Sequence, residues 1–127
     1  MGITEQEAAA LGLTPGKPKR RRKADYREKD FTSDVIQLAM LLGWWPAHFR
    51  PAMLRDGRWV TAVQGRGKGF PDLVMVRAQR TLYAELKMDR TRPTPEQSDW
   101  LDRLRTAGNE VYLWRPQDWR EIEVTLA

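Results

Sequence analysis

Asp72, Glu85 and Lys87 lie at the outer ends of two short apolar runs and are the residues best suited by type and spacing to do chemistry. The runs are rich in Val, Leu and Tyr and are separated by a polar break, which predicts two β-strands joined as a hairpin. With the turn centred between Ala78 and Gln79, Asp72 lies directly opposite Glu85. Lys87 lies two residues beyond Glu85 and therefore projects from the same face of its strand. The pattern brings two carboxylates and one ammonium group to one place.

The opposed carboxylates create an electrostatic conflict that a metal ion would relieve. Directly opposed side chains lie about 5 Å apart, and like charges so placed destabilise a sheet. A pair of carboxylates suits a hard cation such as Mg²⁺ or Mn²⁺. A lysine beside them can position and help deprotonate an attacking water, or offset charge on a phosphoryl oxygen. Glycosidases also use paired carboxylates, but the lysine and the basic segments described below favour phosphodiester hydrolysis.

Composition excludes several other classes of site and of protein. The chain has no cysteine, so disulfides, thiolate nucleophiles and cysteine-based zinc sites are excluded. His48 is the only histidine, so a site with several histidines is excluded as well. No apolar run approaches the ~18 residues of a membrane span, and no signal peptide is apparent. We therefore expect a cytoplasmic protein with no membrane partner and no small-molecule cofactor.

The charge balance indicates a polyanionic partner. The formal net charge is +5, and the basic residues cluster at 17–23, 50–58, 66–68 and 87–92. A basic protein with local clusters of this kind suits nucleic acid, and DNA is the partner that we expect. The alternative is that these residues form an ordinary solubilising surface.

Residues 1–24 are predicted to be a flexible basic arm that precedes a single domain at 25–127. The nearly continuous basic run at 17–23 includes Arg20, Arg21 and Arg22. Such a run repels itself and stays disordered unless it meets phosphate. The arm is therefore either a DNA-gripping element or a solvated linker.

A first helix is predicted from about Arg27 to Leu42, with Gly43 ending it. Its buried face is expected to carry residues at helical spacing, namely Phe31, Val35, Leu38, Ala39 and Leu42. Glu28 lies one turn before this face, where it either overhangs the site at Asp72 and Glu85 or simply favours the helix dipole. Asp34 falls off the face and is expected to be solvated.

Two basic loops and a second helix surround the predicted hairpin. Residues 65–69 form a glycine-rich loop that lacks the spacing of a phosphate-binding P-loop, and its Arg66 and Lys68 are candidates for DNA contact. Arg90 and Arg92 lie in the connection after the hairpin and are candidates for the same role. A second helix then starts with Thr94 as its cap, and Gln97 is both the capping partner and an amide directed toward the sheet.

The remaining elements give an α/β order of α-β-β-β-β-α-β-α, a mixed β-sheet flanked by helices. Asp56-Gly57 signals a two-residue hairpin. A strand at 110–114 is expected to run parallel to the strand at 81–87, because a helix connects them. Three aromatic residues directly after the first helix are interpreted as core residues rather than as stacking platforms for bases, namely Trp44, Trp45 and Phe49.

The motifs resemble those of the PD-(D/E)XK nucleases. Pro71-Asp72 followed by Glu85-Leu86-Lys87 matches the motif as it is written. The wider pattern covers about residues 26–119 and is similar to the VRR-NUC branch in its phage-type, stand-alone form. It consists of Glu28-Lys29-Asp30-Phe31, Gly43-Trp44, Gly69-Phe70-Pro71-Asp72-Leu73, Ala84-Glu85-Leu86-Lys87, Gln97-Ser98-Asp99-Trp100-Leu101, Gly108 and Val111-Tyr112-Leu113-Trp114-Arg115-Pro116. The insert at 49–63 has no match in that pattern.

The resemblance implies a restriction-endonuclease-like core and a role for each matched residue. Asp72, Glu85 and the Leu86 carbonyl would bind the metal, with Glu28 assisting the metal or the water. Lys87 would serve the attacking water and Gln97 would orient the site. The resemblance also implies a homodimeric endonuclease that cuts branched DNA, such as junctions or flaps, in phage DNA processing within the bacterial host cytoplasm.

Two alternatives from other classes remain open at this point. The first is a non-catalytic DNA-binding adaptor on a nuclease-like fold, which the complete set of Asp72, Glu85 and Lys87 disfavours. The second is a metal-free structural protein with a salt-bridged hairpin, which would explain the lysine but not the two opposed acids.

Overall fold

The computed structural model describes residues 25–49, 52–60 and 63–127. The predicted basic arm, with Arg20, Arg21 and Arg22, lies outside these residues, so its role stays a prediction. None of the described helices is both long and apolar enough to cross a bilayer.

A four-stranded mixed sheet forms the centre of the molecule. Its strands are β1 (Trp45–His48), β4 (Leu73–Arg77), β5 (Arg80–Leu86) and β6 (Glu110–Trp114), in the spatial order β1-β4-β5-β6. The first three strands are antiparallel neighbours, whereas β6 runs parallel to β5. A parallel pair needs a crossover connection, and the helix between β5 and β6 provides it, as predicted.

The β4–β5 hairpin has the predicted register. Arg77 pairs with Arg80 next to the turn, and Leu73 pairs with Ala84 at the last ladder position. One further step outward brings Asp72 opposite Glu85. The pairing is well determined because alternate side chains of these strands are buried, and a slip by one residue would expose them.

Three α-helices flank the sheet among the described residues. They are α1 (Glu28–Leu41), α2 (Pro95–Thr106) and α3 (Trp119–Leu126), the last preceded by a 3₁₀ turn at Pro116–Asp118. In the first turn of α1, Asp30 accepts a hydrogen bond of 3.0 Å from the backbone N–H of Arg27. Gly43 follows α1 with a φ of +88°, a conformation that favours glycine, so the helix ends where the sequence predicted.

The core lies where α1 and α3 pack with the sheet. The predicted face of α1 is buried, except that Leu42 is only partly so. The buried cluster joins that face to alternate residues of the strands and to α3, and it includes Phe31, Val35, Leu38, Leu73, Met75, Leu82, Ala84, Leu86, Trp114, Ile122 and Leu126. Burying each large apolar side chain contributes about 1.5–3 kcal/mol. These elements form an α/β fold, a mixed β-sheet flanked by helices.

Five strands precede α2 in the described chain, whereas the predicted order contained four. Between β1 and β4, strands β2 (Ala52–Met53) and β3 (Trp59–Val60) pair with each other as a separate two-stranded sheet. The predicted Asp56-Gly57 turn closes them, and the Leu54 N–H donates to the Arg58 carbonyl at 2.7 Å. A hairpin is therefore confirmed, but its register makes the connection three residues long, from Arg55 to Gly57, rather than the predicted two. This ribbon accounts for the additional strand.

The tryptophans at the end of α1 have opposite environments. Trp44 is 2% exposed and belongs to the core, as predicted. Trp45 is 83% exposed, so its assignment to the core was wrong, and Phe49 is also exposed. The reason is strand alternation: Trp45 begins β1 and pairs with the exposed Val76, on the face away from the buried side chains.

Candidate active site

Asp72 is held between two strands at the open end of the β4–β5 hairpin. Its carbonyl accepts a hydrogen bond of 3.0 Å from the Phe49 N–H. Its side-chain Oδ2 accepts a hydrogen bond of 2.9 Å from the Leu86 N–H. The first bond ties the Asp72 backbone to the residue after β1. The second holds the Asp72 carboxylate at the end of β5, where the hairpin register directs it toward Glu85.

Glu85 is a buried carboxylate whose hydrogen bonding is incomplete. It is 1% exposed. Burial raises the pKa of Glu85 to about 8, the neighbouring Asp72 adds to the rise, and Lys87 lowers it in part. Among the residues that the structure describes, Glu85 Oε1 has no hydrogen-bond partner. Leaving a buried polar atom unsatisfied costs about 1–3 kcal/mol, and more when the group is charged.

Lys87 provides one positive charge for the two acids. Its Nζ lies 3.7 Å from Oε2 of Glu85, and the side chain is largely buried. The Lys87 backbone N–H donates to the Trp114 carbonyl on β6 at 3.0 Å. Because successive residues of a strand alternate in direction, Leu86 turns its N–H and carbonyl to the opposite side, where the N–H meets Asp72. One ammonium group against two carboxylates leaves a net negative charge when both acids are ionised.

The residues at this end of the hairpin fit a small divalent cation. Asp72 and Glu85 offer carboxylate oxygens, Glu85 Oε1 is unsatisfied among the described atoms, and the Leu86 carbonyl faces the Asp72 side. Within residues 25–49, 52–60 and 63–127, no three His, Cys, Asp or Glu side chains group as a metal site. Two carboxylates are nevertheless a common set for Mg²⁺, which keeps several waters and takes further oxygens from substrate phosphate.

Glu28 lies close enough to the pair to interact with it. Partial burial raises the pKa of Glu28, the negative charge of Asp72 raises it further, and Lys87 opposes the rise. The Glu28 carboxylate is therefore within electrostatic range of Asp72 and Lys87, while its place over the site stays a prediction. Among the described residues it does not join Asp72 and Glu85 as a third metal-binding carboxylate. Asp34, predicted to be solvated, is half-buried and accepts a hydrogen bond of 2.6 Å from the Tyr26 hydroxyl.

Gln97 has the capping role that the sequence indicated. Its side-chain Oε1 accepts a hydrogen bond of 2.9 Å from the Thr94 backbone N–H, and its backbone N–H donates to Thr94 Oγ1 at 3.2 Å. Gln97 also lines a groove that has Asp72 in its wall. The head of α2 thus shares a groove with Asp72, while the Gln97 side-chain oxygen is engaged in its own helix.

The glycine-rich loop is packed on the start of α2. Gly69 has a φ of +85°, and a Cβ added there would lie 2.6 Å from the Glu96 carbonyl carbon, so no larger residue fits without movement. The Trp100 indole N–H donates to the Arg66 carbonyl at 2.9 Å. Lys68 forms an ion pair of 3.2 Å with Glu96. These contacts dock the loop on α2.

A comparison with known families agrees with the motif. The model of the VRR-NUC domain matches residues 51–117, which contain Asp72, Glu85 and Lys87. The chain belongs to the VRR-NUC family. This family is of nuclease type, and nucleases of this type typically use divalent metals. A solved structure titled VRR_NUC domain protein is 20% identical, with a TM-score of 0.42, over 100% of this chain and 93% of that chain. No curated protein matches the chain.

The basic residues proposed for DNA contact in this VRR-NUC domain lie in two exposed loops next to the site in the chain. Arg66 and Lys68 are exposed in the docked loop, and Arg90 and Arg92 are exposed in the connection between β5 and α2. That connection begins at Lys87 and ends at the head of α2, so both loops lie near the site. Their contact with DNA stays a prediction.

Sequence reasoning gave no role to Arg115, which shapes this connection. Its guanidinium Nη1 donates to the backbone carbonyls of Asp89 at 2.8 Å and Thr91 at 2.7 Å. The available signal was an arginine directly after a buried strand and before Pro116. Its partners are more than twenty residues away along the chain, so the sequence pattern alone did not identify them.

Proposed function

We propose that this VRR-NUC domain is a Mg²⁺- or Mn²⁺-dependent DNA endonuclease that hydrolyses phosphodiester bonds. The observation that carries the proposal is the buried Glu85 carboxylate beside Asp72, with Oε1 lacking a hydrogen-bond partner among the described residues. The family supports a nuclease, and DNA is its expected substrate. Within this proposal, branched DNA such as junctions or flaps is the preferred substrate in phage DNA processing, and the protein acts as a homodimer.

The carboxylates of Asp72 and Glu85, with the Leu86 carbonyl, are the groups that would hold the cation. When bound, a divalent cation lowers the pKa of a coordinated water and polarises a phosphoryl oxygen. The hydrogen bond from the Leu86 N–H to Asp72 keeps that carboxylate oriented. The burial of Glu85 keeps bulk water away from it, which strengthens electrostatic interactions at the site.

Lys87 and Glu28 are the groups that would act on water and phosphate. The Lys87 ammonium lies beside Glu85 and is placed to donate a hydrogen bond to the attacking water or to a phosphoryl oxygen that gains charge. The raised pKa of Glu28 makes it a stronger proton acceptor than an ordinary glutamate. It would therefore accept a proton from the water at the edge of the site.

The direct test is a cleavage assay with labelled linear, nicked, flap and four-way DNA, in Mg²⁺, Mn²⁺ or EDTA. We expect cleavage with metal and none in EDTA. We expect Asp72→Asn and Lys87→Ala to reduce cleavage by at least about 10²–10³-fold, in line with the loss of a transition-state charge partner, while binding stays largely intact. Asp102→Asn is the matched control, because Asp102 is exposed on α2, where it forms an ion pair with Arg105.

The catalytic proposal fails if neither metal supports cutting of any substrate. It also fails if Asp72→Asn and Lys87→Ala cut as well as the wild type. Equal cutting of linear and branched DNA would remove the structure-specific part of the proposal while leaving the nuclease itself.

A further inference from the structure

A groove beside the acids has a lining that the hydrolytic chemistry does not explain. Its volume is about 850 Å³, within the range of roughly 300–1,000 Å³ that is typical of ligand sites. It extends from Asp72 along the glycine-rich loop to the β2–β3 hairpin. Its walls are rich in aromatic side chains, namely Phe49, Trp59, Phe70 and Trp100.

The inner wall of this groove is a fixed set of rings. Phe70 contacts Phe49 and Trp100 edge to face, with ring centroids 5.5 and 5.0 Å apart. On its other side Phe70 contacts Tyr83 of β5 in the same way, at 6.1 Å. The Trp100 indole is held by its hydrogen bond to the Arg66 carbonyl. Rings held in this way present a shaped apolar surface without losing side-chain freedom when a ligand binds.

Trp59 forms the outer wall and is largely uncovered. It is 63% exposed on the short strand β3, opposite Met53. A tryptophan with this exposure leaves a large planar apolar surface in water. Arg66 and Lys68 also line the groove, so its rim is basic while its walls are aromatic. Aromatic rings together with cations are the combination that binds single-stranded nucleic acid, since bases stack on the rings and phosphates meet the cations.

We propose that this groove binds unpaired nucleotides of single-stranded DNA next to the scissile phosphate, and that Trp59 stacks on a base. The inference rests on the proposed function for the position of that phosphate, because the groove includes Asp72 in its wall. Bases within a duplex have both faces covered by their neighbours, so a stacking site of this kind selects unpaired segments. The groove thus indicates the class of substrate, which is DNA with unpaired bases at the site of cutting.

The test is equilibrium binding measured by fluorescence anisotropy in EDTA, so that no cleavage is required. The probes are a labelled single strand, the same strand with abasic positions, and a blunt duplex of the same sequence. We expect Trp59→Ala to weaken binding of the intact single strand by about five- to a hundredfold, as for loss of one base–aromatic stack. Its effect on the abasic strand and on the duplex should be less than about twofold, because neither offers a free base to the ring.

Two further variants separate stacking from effects on folding. Trp59→Phe keeps a planar ring and should retain most of the affinity for the intact strand. Trp45→Ala removes another exposed tryptophan, 83% exposed, at the far end of β1 beside Val76, and should leave binding unchanged. The proposal is overturned if Trp59→Ala binds the intact strand as tightly as the wild type. It is equally overturned if the loss is the same for the abasic strand or the duplex.

The binding test and the cleavage test fail independently. If no DNA is cut with either metal but the base-dependent effect of Trp59→Ala is present, the proposed catalysis fails and the groove assignment stands. If DNA is cut in a metal- and Lys87-dependent manner but Trp59→Ala has no base-dependent effect, the nuclease stands and the groove assignment fails.

Discussion

The β4–β5 hairpin places like charges opposite each other at both of its ends, and the two ends differ in what surrounds them. Next to the turn, Arg77 pairs with Arg80. At the open end, the same register brings Asp72 opposite Glu85. Directly opposed like charges destabilise a sheet, so each end needs charges or dipoles of opposite sign nearby.

At the turn, the chain itself provides those groups for Arg77. The guanidinium Nη1 donates to the carbonyls of Leu42 at 3.0 Å and Leu126 at 2.8 Å. These carbonyls follow the last turn of α1 and end α3, where the helix dipole favours a positive charge. The guanidinium also lies 4.7 Å from the centroid of the Trp44 ring, a cation–π distance.

Arg80 is neutralised in a different way at the same end. Its Nε and Nη2 donate to the two carboxylate oxygens of Glu110 at 2.9 and 2.8 Å, a bidentate pair across to β6. This pair lowers the pKa of Glu110, mainly through the hydrogen bond from Arg80. Arg80 also lies 5.0 Å from the centroid of the Trp44 ring. The Trp44 ring therefore lies within cation–π distance of both arginines.

The open end lacks an equivalent set of partners in the part of the chain that the structure describes. Asp72 receives one hydrogen bond from the Leu86 N–H, and Lys87 is the ammonium beside Glu85. Glu85 Oε1 is left without a described hydrogen-bond partner. The hairpin thus has one charge conflict resolved by its own chain at the turn and a second at the open end, where we propose that a cation binds. The second is the expected property of a site that binds a metal.

The largest expected effect on stability concerns the turn of the β4–β5 hairpin, where the charges of the two arginines are compensated. Trp44→Ala should lower the free energy of unfolding by about 3–5 kcal/mol, because it empties a core position and removes the ring that supports both arginines. The measurement is chemical denaturation followed by circular dichroism. Trp45→Ala is the matched control and should change stability by less than about 0.5 kcal/mol, because Trp45 is exposed. Similar losses for the two variants would contradict this account of the turn.

A second expected effect concerns the open end and has a defined sign. The pKa of Glu85 is about 8 in the folded protein, against an ordinary value of 4.5. Between these values the folded state binds more protons than the unfolded state, so stability falls as pH rises. Without metal, the free energy of unfolding should drop by on the order of a few kcal/mol from pH 4.5 to pH 9, since one pKa unit corresponds to about 1.4 kcal/mol.

Glu85→Gln provides the reference for this pH series. It removes the titrating group while keeping the shape of the side chain, so its unfolding free energy should vary less with pH than that of the wild type. The difference between the two proteins isolates Glu85 from the other ionisable groups. Parallel pH profiles would show that the Glu85 carboxylate is not the source of the conflict.

The smallest expected effect concerns the bidentate pair at the turn. Arg80→Ala should destabilise the protein by about 1 kcal/mol, because its side chain is 38% exposed and solvent screens the pair in part. Arg58→Ala is the matched control, since its ion pair with Asp56 has the same length of 2.8 Å but lies in a more exposed turn. That variant should lose less than about 0.5 kcal/mol in the same denaturation experiment. An equal loss of stability in the two variants would show that the Arg80–Glu110 pair does not compensate the charges at the turn.

The hairpin and its register were predictable because they depend on local pattern. The period of two along each strand and the position of the turn fix which residues are opposed. This was sufficient to place Asp72 opposite Glu85 and Lys87 on the same face as Glu85. The helix ends were predictable for a similar reason, since Thr94 and Gly43 act within one turn of their own position.

The surroundings of those residues depended on contacts that are distant in sequence. The Arg77 guanidinium finds its partners at Leu42 and Leu126, and no local pattern distinguishes these carbonyls from others. The incomplete hydrogen bonding of Glu85 is likewise a property of the packed structure. The different environments of Trp44 and Trp45 were missed because two adjacent residues of equal hydrophobicity give no indication of which one turns inward.

The most direct test of the central claim is the free energy of unfolding at pH 8 as Mn²⁺ or Mg²⁺ is titrated. A cation that binds only the folded state should stabilise the wild type by about 2.7 kcal/mol at one hundred times its dissociation constant. Arg80→Ala should gain the same increment from its lower starting point, whereas the double variant Asp72→Asn with Glu85→Gln should gain none. Absence of stabilisation in the wild type by either cation, or an equal gain in the double variant, would contradict the account.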